Sequence, residues 1–259
     1  MTLRVCLVQT DLHWQDPAAN RARFEERLGA MAPGSVDVVV LPEMFTTGFS
    51  MDSAALAEPA AGPTAQWLLS WSRRLGAAVT GSVMTRDGDR CVNRLWFASP
   101  EGALHHYDKR HLFRMAGEHE HFAAGSESVL VQFRGWRIAP LVCYDLRFPV
   151  WSRRRAGFDY DLLVYVANWP ARRAYAWRQL LIARAIENQS YVVGVNRVGS
   201  DGNGIVHDGD SAAHDFLGMP VATLGDAPAA TTVSLDLEAL REFRERFPAH
   251  LDADRFALE

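Results

Sequence analysis

The sequence predicts an α/β protein, because stretches with the pattern of strands and of helices alternate along the 259-residue chain. Residues 36–41 (VDVVVL) form a nearly continuous β-branched run, which is typical of a strand buried on both faces. Residues 18–31 instead carry apolar side chains at helical spacing, and Pro33-Gly34 closes that helix. Asp87-Gly88 separates two further strand-like stretches and predicts a hairpin.

The other strands are predicted from short apolar or alternating runs that end at turn residues. Arg134-Gly135 marks a second hairpin. In chain order, the predicted strands cover residues 3–9, 36–41, 77–85, 90–99, 103–107, 129–133, 137–142, 161–167, 191–196, 205–210, 212–215, 221–223 and 231–235.

Helical spacing of apolar residues predicts five helices, at residues 18–31, 64–75, 151–156, 171–188 and 238–247. Thr64 is the expected N-cap of the second helix and Gly76 its expected C-cap. Pro248 ends the last one. Residues 112–128 are polar and rich in histidine, which predicts a loop.

Charge and hydropathy exclude several classes of partner. The formal net charge is 27 − 31 = −4, so nothing favours binding to nucleic acid or to an anionic membrane. No apolar run reaches the roughly 18–20 residues of a membrane span, and no secretory signal pattern is visible. The three cysteines, Cys6, Cys91 and Cys143, have no metal-type spacing, which favours free thiols in a reducing compartment. We therefore expect a cytoplasmic protein.

No composition shift, linker or repeat divides the chain. We expect one domain over residues 1–259, with residues 238–259 as a C-terminal helix or arm.

Cys143 stands directly after the apolar run at residues 138–142, and Tyr144-Asp145 and Pro149 then prevent the strand from continuing. A thiol at such a sharp turn is held rigidly, and the backbone N–H of Tyr144 lies near whatever the sulfur attacks. The alternative is that Cys143 is a small buried hydrophobic residue, as most free cysteines are.

Two charged residues stand at equivalent places. Glu43 follows the strand at 36–41, and Lys109 follows the extended piece at 103–107, so both lie where strands end. A thiol is mostly neutral at pH 7 and needs a base, which Glu43 could supply. Lys109 could stabilise the oxyanion of a tetrahedral intermediate. Taken singly, either residue could instead be a solvated surface charge.

Three segments carry a resemblance to a known family: LPEMFTTGFS (41–50), YDKRHLFRMAGEHEHFAAG (107–125) and VCYDLRFP (142–149). They resemble the three catalytic motifs of the nitrilase superfamily of carbon-nitrogen hydrolases. The segments at 166–170, 183–204 and 209–218 resemble its supporting segments. The CYDLRFP motif and the long loop after Lys109 are most similar to the Nit-type, ω-amidase-like branch.

This resemblance implies that Cys143 is the nucleophile, Glu43 the general base and Lys109 the oxyanion stabiliser. It also implies a second glutamate in the loop after Lys109, for which Glu118 is favoured over Glu120. The implied activity is release of ammonia from small ω-amides of dicarboxylic acids, such as 2-oxoglutaramate or 2-oxosuccinamate, through a thioester and without a cofactor.

The implied fold is a four-layer α-β-β-α sandwich of two mainly antiparallel six-stranded sheets, rather than the parallel sheet that the plain α/β pattern suggests. The resemblance also implies a homodimer or a higher homo-oligomer, for which residues 171–188 and 238–247 are the expected contacts.

A carboxylated substrate requires a cation, and Arg147 is the first candidate because it lies four residues after Cys143. Arg114 and Arg173 are weaker candidates. Phe45, Tyr144 and Trp169 stand beside motif residues and are expected to line the pocket, although buried aromatic residues usually belong to the core.

The histidines do not predict a metal site, since no carboxylate or cysteine accompanies them in a recognisable ligand pattern. They are His105, His106, His111, His119 and His121.

Two alternatives remain at this stage. The first is another amide-type hydrolase of the same family, namely a carbamoylase, a deaminated-glutathione amidase or a nitrilase. The second is a non-catalytic binding protein on the same fold, against which the joint presence of Glu43, Lys109 and Cys143 argues.

Overall fold

The computed structural model describes residues 1–258, which form fifteen strands and seven α-helices. The strands are β1 (Thr2–Gln9), β2 (Val38–Val40), β3 (Glu58–Pro59), β4 (Ala78–Asp87), β5 (Arg90–Ala98), β6 (Leu104–Asp108), β7 (Val131–Phe133), β8 (Trp136–Val142), β9 (Leu162–Ala167), β10 (Tyr191–Asn196), β11 (Val198–Ser200), β12 (Val206–Asp208), β13 (Ala212–His214), β14 (Pro220–Thr223) and β15 (Ala229–Asp236). The helices are α1 (Pro17–Gly29), α2 (Ser53–Leu56), α3 (Pro63–Leu75), α4 (Glu118–His121), α5 (Pro149–Ser152), α6 (Ala174–Asn188) and α7 (Leu237–Arg246). Short 3₁₀ helices cover Arg114–Ala116, Cys143–Arg147, Ala171–Arg173 and Ala249–Asp252.

Most strands form two large sheets. The first has the order β15-β1-β2-β4-β5-β6, with the short β3 beside β4, and the second has the order β14-β13-β10-β9-β8-β7. In both sheets the central strands pair in parallel. In the first sheet β1 and β4 pair with β2, and in the second β8 and β10 pair with β9. The pairs toward the edges of each order are antiparallel.

Side chains on the central strands alternate between two apolar layers. On β1, Val5 and Leu7 face the cluster between the sheets, while Cys6 and Val8 face α1 and α3. The second sheet is covered by α6, which packs closely because β10 has glycine at position 194. A Cβ there would lie 2.7 Å from Leu181. Helices therefore lie outside two facing sheets, which confirms the predicted α-β-β-α sandwich.

Some predicted elements differ from the structure in bounds or in kind. Thr64 is not the N-cap of α3: Gly62 is, because Pro63 takes the first helical position, where its missing N–H costs nothing. The N–H of Thr64 donates instead to Glu58 Oε2 at 2.7 Å. The loop predicted at 112–128 contains α4, and the helix predicted at 151–156 is α5, four residues long.

The C-terminal part expected to be a helix or arm contains α7 and the 3₁₀ turn Ala249–Asp252, and its last residue, at position 259, lies outside the described residues. None of the helices formed by residues 1–258 combines the length and the hydropathy needed to cross a membrane.

Candidate active site

Four strands end at the same edge of the sandwich, and the polar residues of the site follow these strand ends. In the first sheet β6 runs in the same direction as β2, because β4 is parallel to β2 and two antiparallel pairings then lead to β6. Lys109 follows β6 directly, and Glu43 lies three residues after β2. In the second sheet Cys143 follows β8 and Asn168 follows the parallel neighbour β9. The site therefore lies between the carboxyl ends of strands from both sheets.

Cys143 opens a 3₁₀ helix directly after β8, and its backbone has a positive φ of 44°. This left-handed conformation strains a residue with a side chain and is common at functional turns. The thiol is 9% exposed and lines a cavity. The predicted sharp turn at the end of a buried strand is thus present, with the sulfur at a reachable surface.

Lys109 lies between two buried carboxylates. Its Nζ donates to Glu43 Oε1 at 2.9 Å and to both carboxylate oxygens of Glu118 at 2.9 Å. The ring of Phe49 lies 5.0 Å from Nζ on another side. Because all three charged side chains are excluded from solvent, this network is rigid and its charges interact strongly.

Two asparagines position the carboxylates. Asn93 Nδ2 donates to Glu43 Oε1 at 2.8 Å and to Glu118 Oε1 at 3.3 Å, so it joins them from the side of β5. The backbone N–H of Asn168 donates to Glu43 Oε2 at 2.9 Å, and its Nδ2 donates to the Glu43 carbonyl at 2.5 Å. Both Glu43 oxygens therefore have fixed partners.

Burial and neighbouring charges set the protonation states. Burial raises the pKa of the Cys143 thiol well above its usual range, the negative charge of Glu43 raises it further, and Lys109 offsets part of this. Burial alone would lower the pKa of Lys109, but Glu118 and Glu43 outweigh it and raise that pKa. Burial raises the pKa of Glu118 despite the opposing effect of Lys109. Cys143 is therefore a thiol at rest and Lys109 a cation.

The buried Asp145 connects the turn that carries Lys109 to the turn that carries Cys143. Its Oδ2 accepts from Tyr107 Oη at 2.8 Å and from the backbone N–H of Val142 at 3.0 Å. Its Oδ1 accepts from the backbone N–H of His111 at 3.0 Å and lies 2.8 Å from His111 Nδ1. One carboxylate thus fixes the turns of Cys143 and Lys109 relative to each other.

A cavity of about 200 Å³ opens above Cys143 and Lys109. Aromatic residues form much of its wall, namely Phe49, Phe113, Tyr144 and Trp169. Three arginines, Arg147, Arg172 and Arg173, also line it. Small-molecule sites commonly combine such an apolar wall with a few polar groups.

Of the four residues predicted to line the pocket, three do so and one does not. Arg147, Tyr144 and Trp169 line the cavity, and the Arg147 guanidinium lies 4.8 Å from the centre of the Trp169 ring. Phe45 does not line it. It is buried in the cluster between the first sheet and its helices, where its ring meets Phe24 edge to face at 5.3 Å. Phe45 is therefore a core residue, because its side chain points to the helix side of the sheet.

Of the two glutamates in the loop after Lys109, only Glu118 reaches the network. The Glu120 side chain is 69% exposed, whereas the Glu118 side chain is fully buried. Glu118 Oε2 also accepts from the backbone N–H of Phe113 at 2.5 Å.

Sequence reasoning did not assign roles to Asn93, Asn168 or Phe49. Asn168 follows a buried strand, as the other site residues do, so its position was a usable signal. Phe49 lies in the same motif as Glu43. Asn93 lies inside β5, where nothing local marks it. Within residues 1–258, His, Cys, Asp and Glu side chains form no group of three or more that could hold a metal ion.

Comparison with known proteins places this architecture in a family. The carbon-nitrogen hydrolase family model matches residues 4–245. The chain is 51% identical to the Omega-amidase YafV of Escherichia coli K12, over 99% of this chain and 98% of that protein. It is 32% identical to a 2-oxoglutaramate amidase of Bacillus subtilis, over 97% of this chain and 98% of that protein.

Among solved structures, XC1258 from Xanthomonas campestris is described as a CN-hydrolase superfamily protein with an arsenic adduct in the active site. It is 49% identical to this chain and matches with a TM-score of 0.97 over 100% of both chains. The chain therefore belongs to the carbon-nitrogen hydrolase family, within the nitrilase superfamily that its three motifs predict, and is an enzyme that hydrolyses carbon–nitrogen bonds.

Proposed function

We propose that this enzyme releases ammonia from small ω-amides of dicarboxylic acids, of the 2-oxoglutaramate or 2-oxosuccinamate type. The observation that carries the proposal is the placement of Cys143 beside the buried Glu43–Lys109–Glu118 network, at a small cavity lined by arginines. The names of the two curated relatives support the same substrate class.

In the first half-reaction Glu43 takes the thiol proton and the Cys143 sulfur attacks the amide carbon. The oxyanion that forms is stabilised by Lys109 Nζ and by the backbone N–H of Tyr144. Glu43 then gives its proton to the amide nitrogen, the C–N bond breaks, and ammonia leaves a thioester on Cys143. Because the thiol pKa is raised, proton transfer to a base is needed before attack.

In the second half-reaction water takes the place of ammonia. Glu43 takes a proton from this water, and the resulting hydroxide adds to the thioester carbon. The intermediate collapses, the C–S bond breaks, and Glu43 returns the proton to the sulfur, which releases the dicarboxylic acid. Glu118 orients Lys109 through both of its oxygens but takes no proton in these steps.

Arg147 is proposed to bind the substrate carboxylate. It lines the cavity with Cys143, and its guanidinium is held over Trp169. A guanidinium is suited to this task because it can donate two parallel hydrogen bonds to a carboxylate. Trp169 and Tyr144 would then form the apolar wall along the carbon chain of the substrate.

The test is ammonia release from 2-oxoglutaramate and succinamate, run beside a simple nitrile and an N-carbamoyl amino acid. We expect turnover of the ω-amides, an acyl-enzyme adduct on Cys143 by mass spectrometry, and loss of both in Cys143→Ala. Cys91→Ala is the matched control, because Cys91 is a free thiol outside the cavity lining. Turnover of only the nitrile or the carbamoyl compound would contradict the proposed substrate.

We also propose that the enzyme acts as a single domain over residues 1–259, as a cytoplasmic homodimer without a cofactor. Apolar side chains on and beside α6 support the pairing: Ile186 is 52% exposed and Met219 60%. Light scattering of Met219→Glu, compared with wild type, tests the dimer. We expect wild type to have the mass of a dimer and Met219→Glu that of a monomer. A wild type with the mass of a monomer would contradict the dimer, and a Met219→Glu variant that stays dimeric would exclude this contact.

A further inference from the structure

Arg173 is an arginine of the cavity that has no adequate partner. It ends the 3₁₀ helix Ala171–Arg173, and Trp169 Nε1 donates to its carbonyl at 2.8 Å, which fixes the backbone. Its guanidinium lies 5.1 Å from the centre of the Phe113 ring. Its Nη1 is buried without a hydrogen-bond partner, and its Nη2 donates only to the sulfur of Met115, a weak acceptor.

Two neighbouring side chains, Arg147 and Arg172, carry the same charge as Arg173. Burial lowers the pKa of Arg173, and the charges of Arg172 and Arg147 lower it further. Within the described chain, neither Arg147 nor Arg173 has a carboxylate at ion-pair distance. Buried donors and like charges of this kind are normally compensated. An anion in the cavity would supply both the missing acceptor and the missing charge.

The cavity therefore has two chemically different parts. Cys143, Lys109 and Asn168 form its reactive part, and Arg147 with Arg173 forms a cationic part in the same cavity of about 200 Å³. A ligand that places an amide at Cys143 and an anion at the arginines must carry both groups at the ends of a short chain. Dicarboxylic acid monoamides have this form.

We propose that Arg173 is a second specificity-determining residue and that it holds the substrate carboxylate together with Arg147. This inference rests on the proposed ω-amidase function and assigns it a two-arginine clamp. Each guanidinium can donate through its planar fork, so one carboxylate satisfies donors of both and reduces their mutual repulsion. Lysine at position 173 has no planar fork and cannot reproduce the second contact.

The experiment compares succinamate with butanamide, which has the same amide and a methyl group in place of the carboxylate. For Arg173→Gln we expect kcat/KM for succinamate to fall at least tenfold, mainly through KM, with little change for butanamide. Arg173→Lys should recover only part of the loss. Arg90→Gln is the matched control, since it removes an exposed arginine on β5 that is outside the lining of this cavity.

Arg147→Gln and the double variant Arg147→Gln/Arg173→Gln complete a double-mutant cycle. If both arginines hold one carboxylate, the fold-loss in kcat/KM for succinamate in the double variant should be smaller than the product of the two single fold-losses. If kcat/KM of Arg173→Gln fell equally for succinamate and for butanamide, Arg173 would have a structural role only, and the proposal would be overturned. A selective loss in Arg172→Gln but not in Arg173→Gln would also overturn it, because the carboxylate would then lie at Arg172.

A binding measurement separates this inference from the proposed function. Calorimetry of succinate with Cys143→Ala reports on the clamp without turnover. We expect binding that weakens at least tenfold when Arg173→Gln is added. If wild type does not hydrolyse ω-amides, the proposed function fails. The affinity of succinate for Cys143→Ala, with and without Arg173→Gln, then tests the two-arginine clamp independently. Absence of succinate binding, or binding unaffected by Arg173→Gln, would overturn it.

Discussion

Cys143 combines a strained backbone with a buried, protonated thiol. A positive φ costs a residue with a Cβ about 1–2 kcal/mol. The surrounding turn holds this conformation because Asp145 accepts from the backbone N–H of Val142 at 3.0 Å. The thiol thus faces the cavity because of local geometry, and the proposed mechanism assigns its proton to Glu43.

Replacing Glu43 should separate thiol acidity from catalysis. In Glu43→Gln we expect turnover to disappear, because no base remains, while the pH profile for alkylation of Cys143 by iodoacetamide shifts to lower pH. The shift follows because the negative charge of Glu43 raises the pKa of the Cys143 thiol. Peptide mapping by mass spectrometry gives the rate at Cys143, with Cys6 and Cys91 as internal references. A profile that stays in place or moves to higher pH would disprove this electrostatic account.

Replacing Lys109 should affect stability as well as activity. Lys109→Met leaves two carboxylates buried without their cation, which typically costs about 3–5 kcal/mol. We expect a corresponding loss in the free energy of unfolding from urea titration. Lys109→Met/Glu118→Gln should recover part of that stability but no activity. If the single variant were as stable as wild type, the buried charges would not interact as the distances indicate.

At the scale of elements, Asp145 couples two segments that are far apart in sequence. It joins the 3₁₀ helix that begins at Cys143 to the segment around Lys109, through Tyr107 and His111. Tyr107 Oη also accepts from Trp151 Nε1 at 2.9 Å, so α5 is tied to the same point. The hydrogen bonds of Asp145 therefore set the position of Cys143 relative to Lys109.

In Asp145→Asn an amide N–H faces Tyr107 Oη or the backbone N–H groups of Val142 and His111, which are hydrogen-bond donors themselves. We expect a loss of about 2–3 kcal/mol in the free energy of unfolding, since hydrogen bonds to a charged group are lost. We also expect kcat to fall at least tenfold with little change in KM, because the cavity walls remain. Tyr107→Phe is the milder control, since it removes one donor to Asp145. If KM rose by the same factor by which kcat falls, Asp145 would shape the cavity instead.

At the scale of the whole molecule, polar side chains are buried as well as apolar ones, also on the separate two-stranded sheet of β11 and β12. His207 on β12 is 3% exposed, and burial lowers its pKa to about 4, with Arg197 lowering it further. In the unfolded chain the pKa is about 6.5. Between these values the unfolded state binds more protons, so the free energy of unfolding must fall as the pH decreases from 6.5 toward 4.

The expected contribution of His207 to this fall is as much as about 3 kcal/mol. His207→Gln cannot bind the proton, so its stability should depend less on pH in this window. Urea titrations at pH 7, 6, 5 and 4.5 measure the difference. His105→Gln, at an exposed position on β6, should follow wild type. Parallel curves for His207→Gln and wild type would mean that this histidine is not the sensitive group.

Sequence patterns predicted most of the strands and helices, whereas the sandwich was expected only from the resemblance to the nitrilase superfamily. The β-branched run at 36–41 correctly indicated a strand buried on both faces, and the structure shows that this strand, β2, pairs in parallel with both neighbours. The hairpins at Gly88 and Gly135 follow from positive φ angles of 61° and 76°, which glycine adopts without strain. Thr64 is not the N-cap of α3, because Pro63 takes the first helical position and Gly62 is therefore the cap.

The sequence by itself placed Glu43, Lys109 and Cys143 just after strands, since the ends of β2, β6 and β8 are marked by local apolar runs and turn residues. It did not predict the short strands β3 and β11. Only the tertiary structure decided that Glu118 rather than Glu120 meets Lys109, that Phe45 lies in the core, and that Arg173 faces the cavity. The reason is physical. Contacts such as Glu43 with Lys109, 66 residues apart, or with Asn168, 125 residues apart, depend on how two sheets pack and leave no local period in the chain.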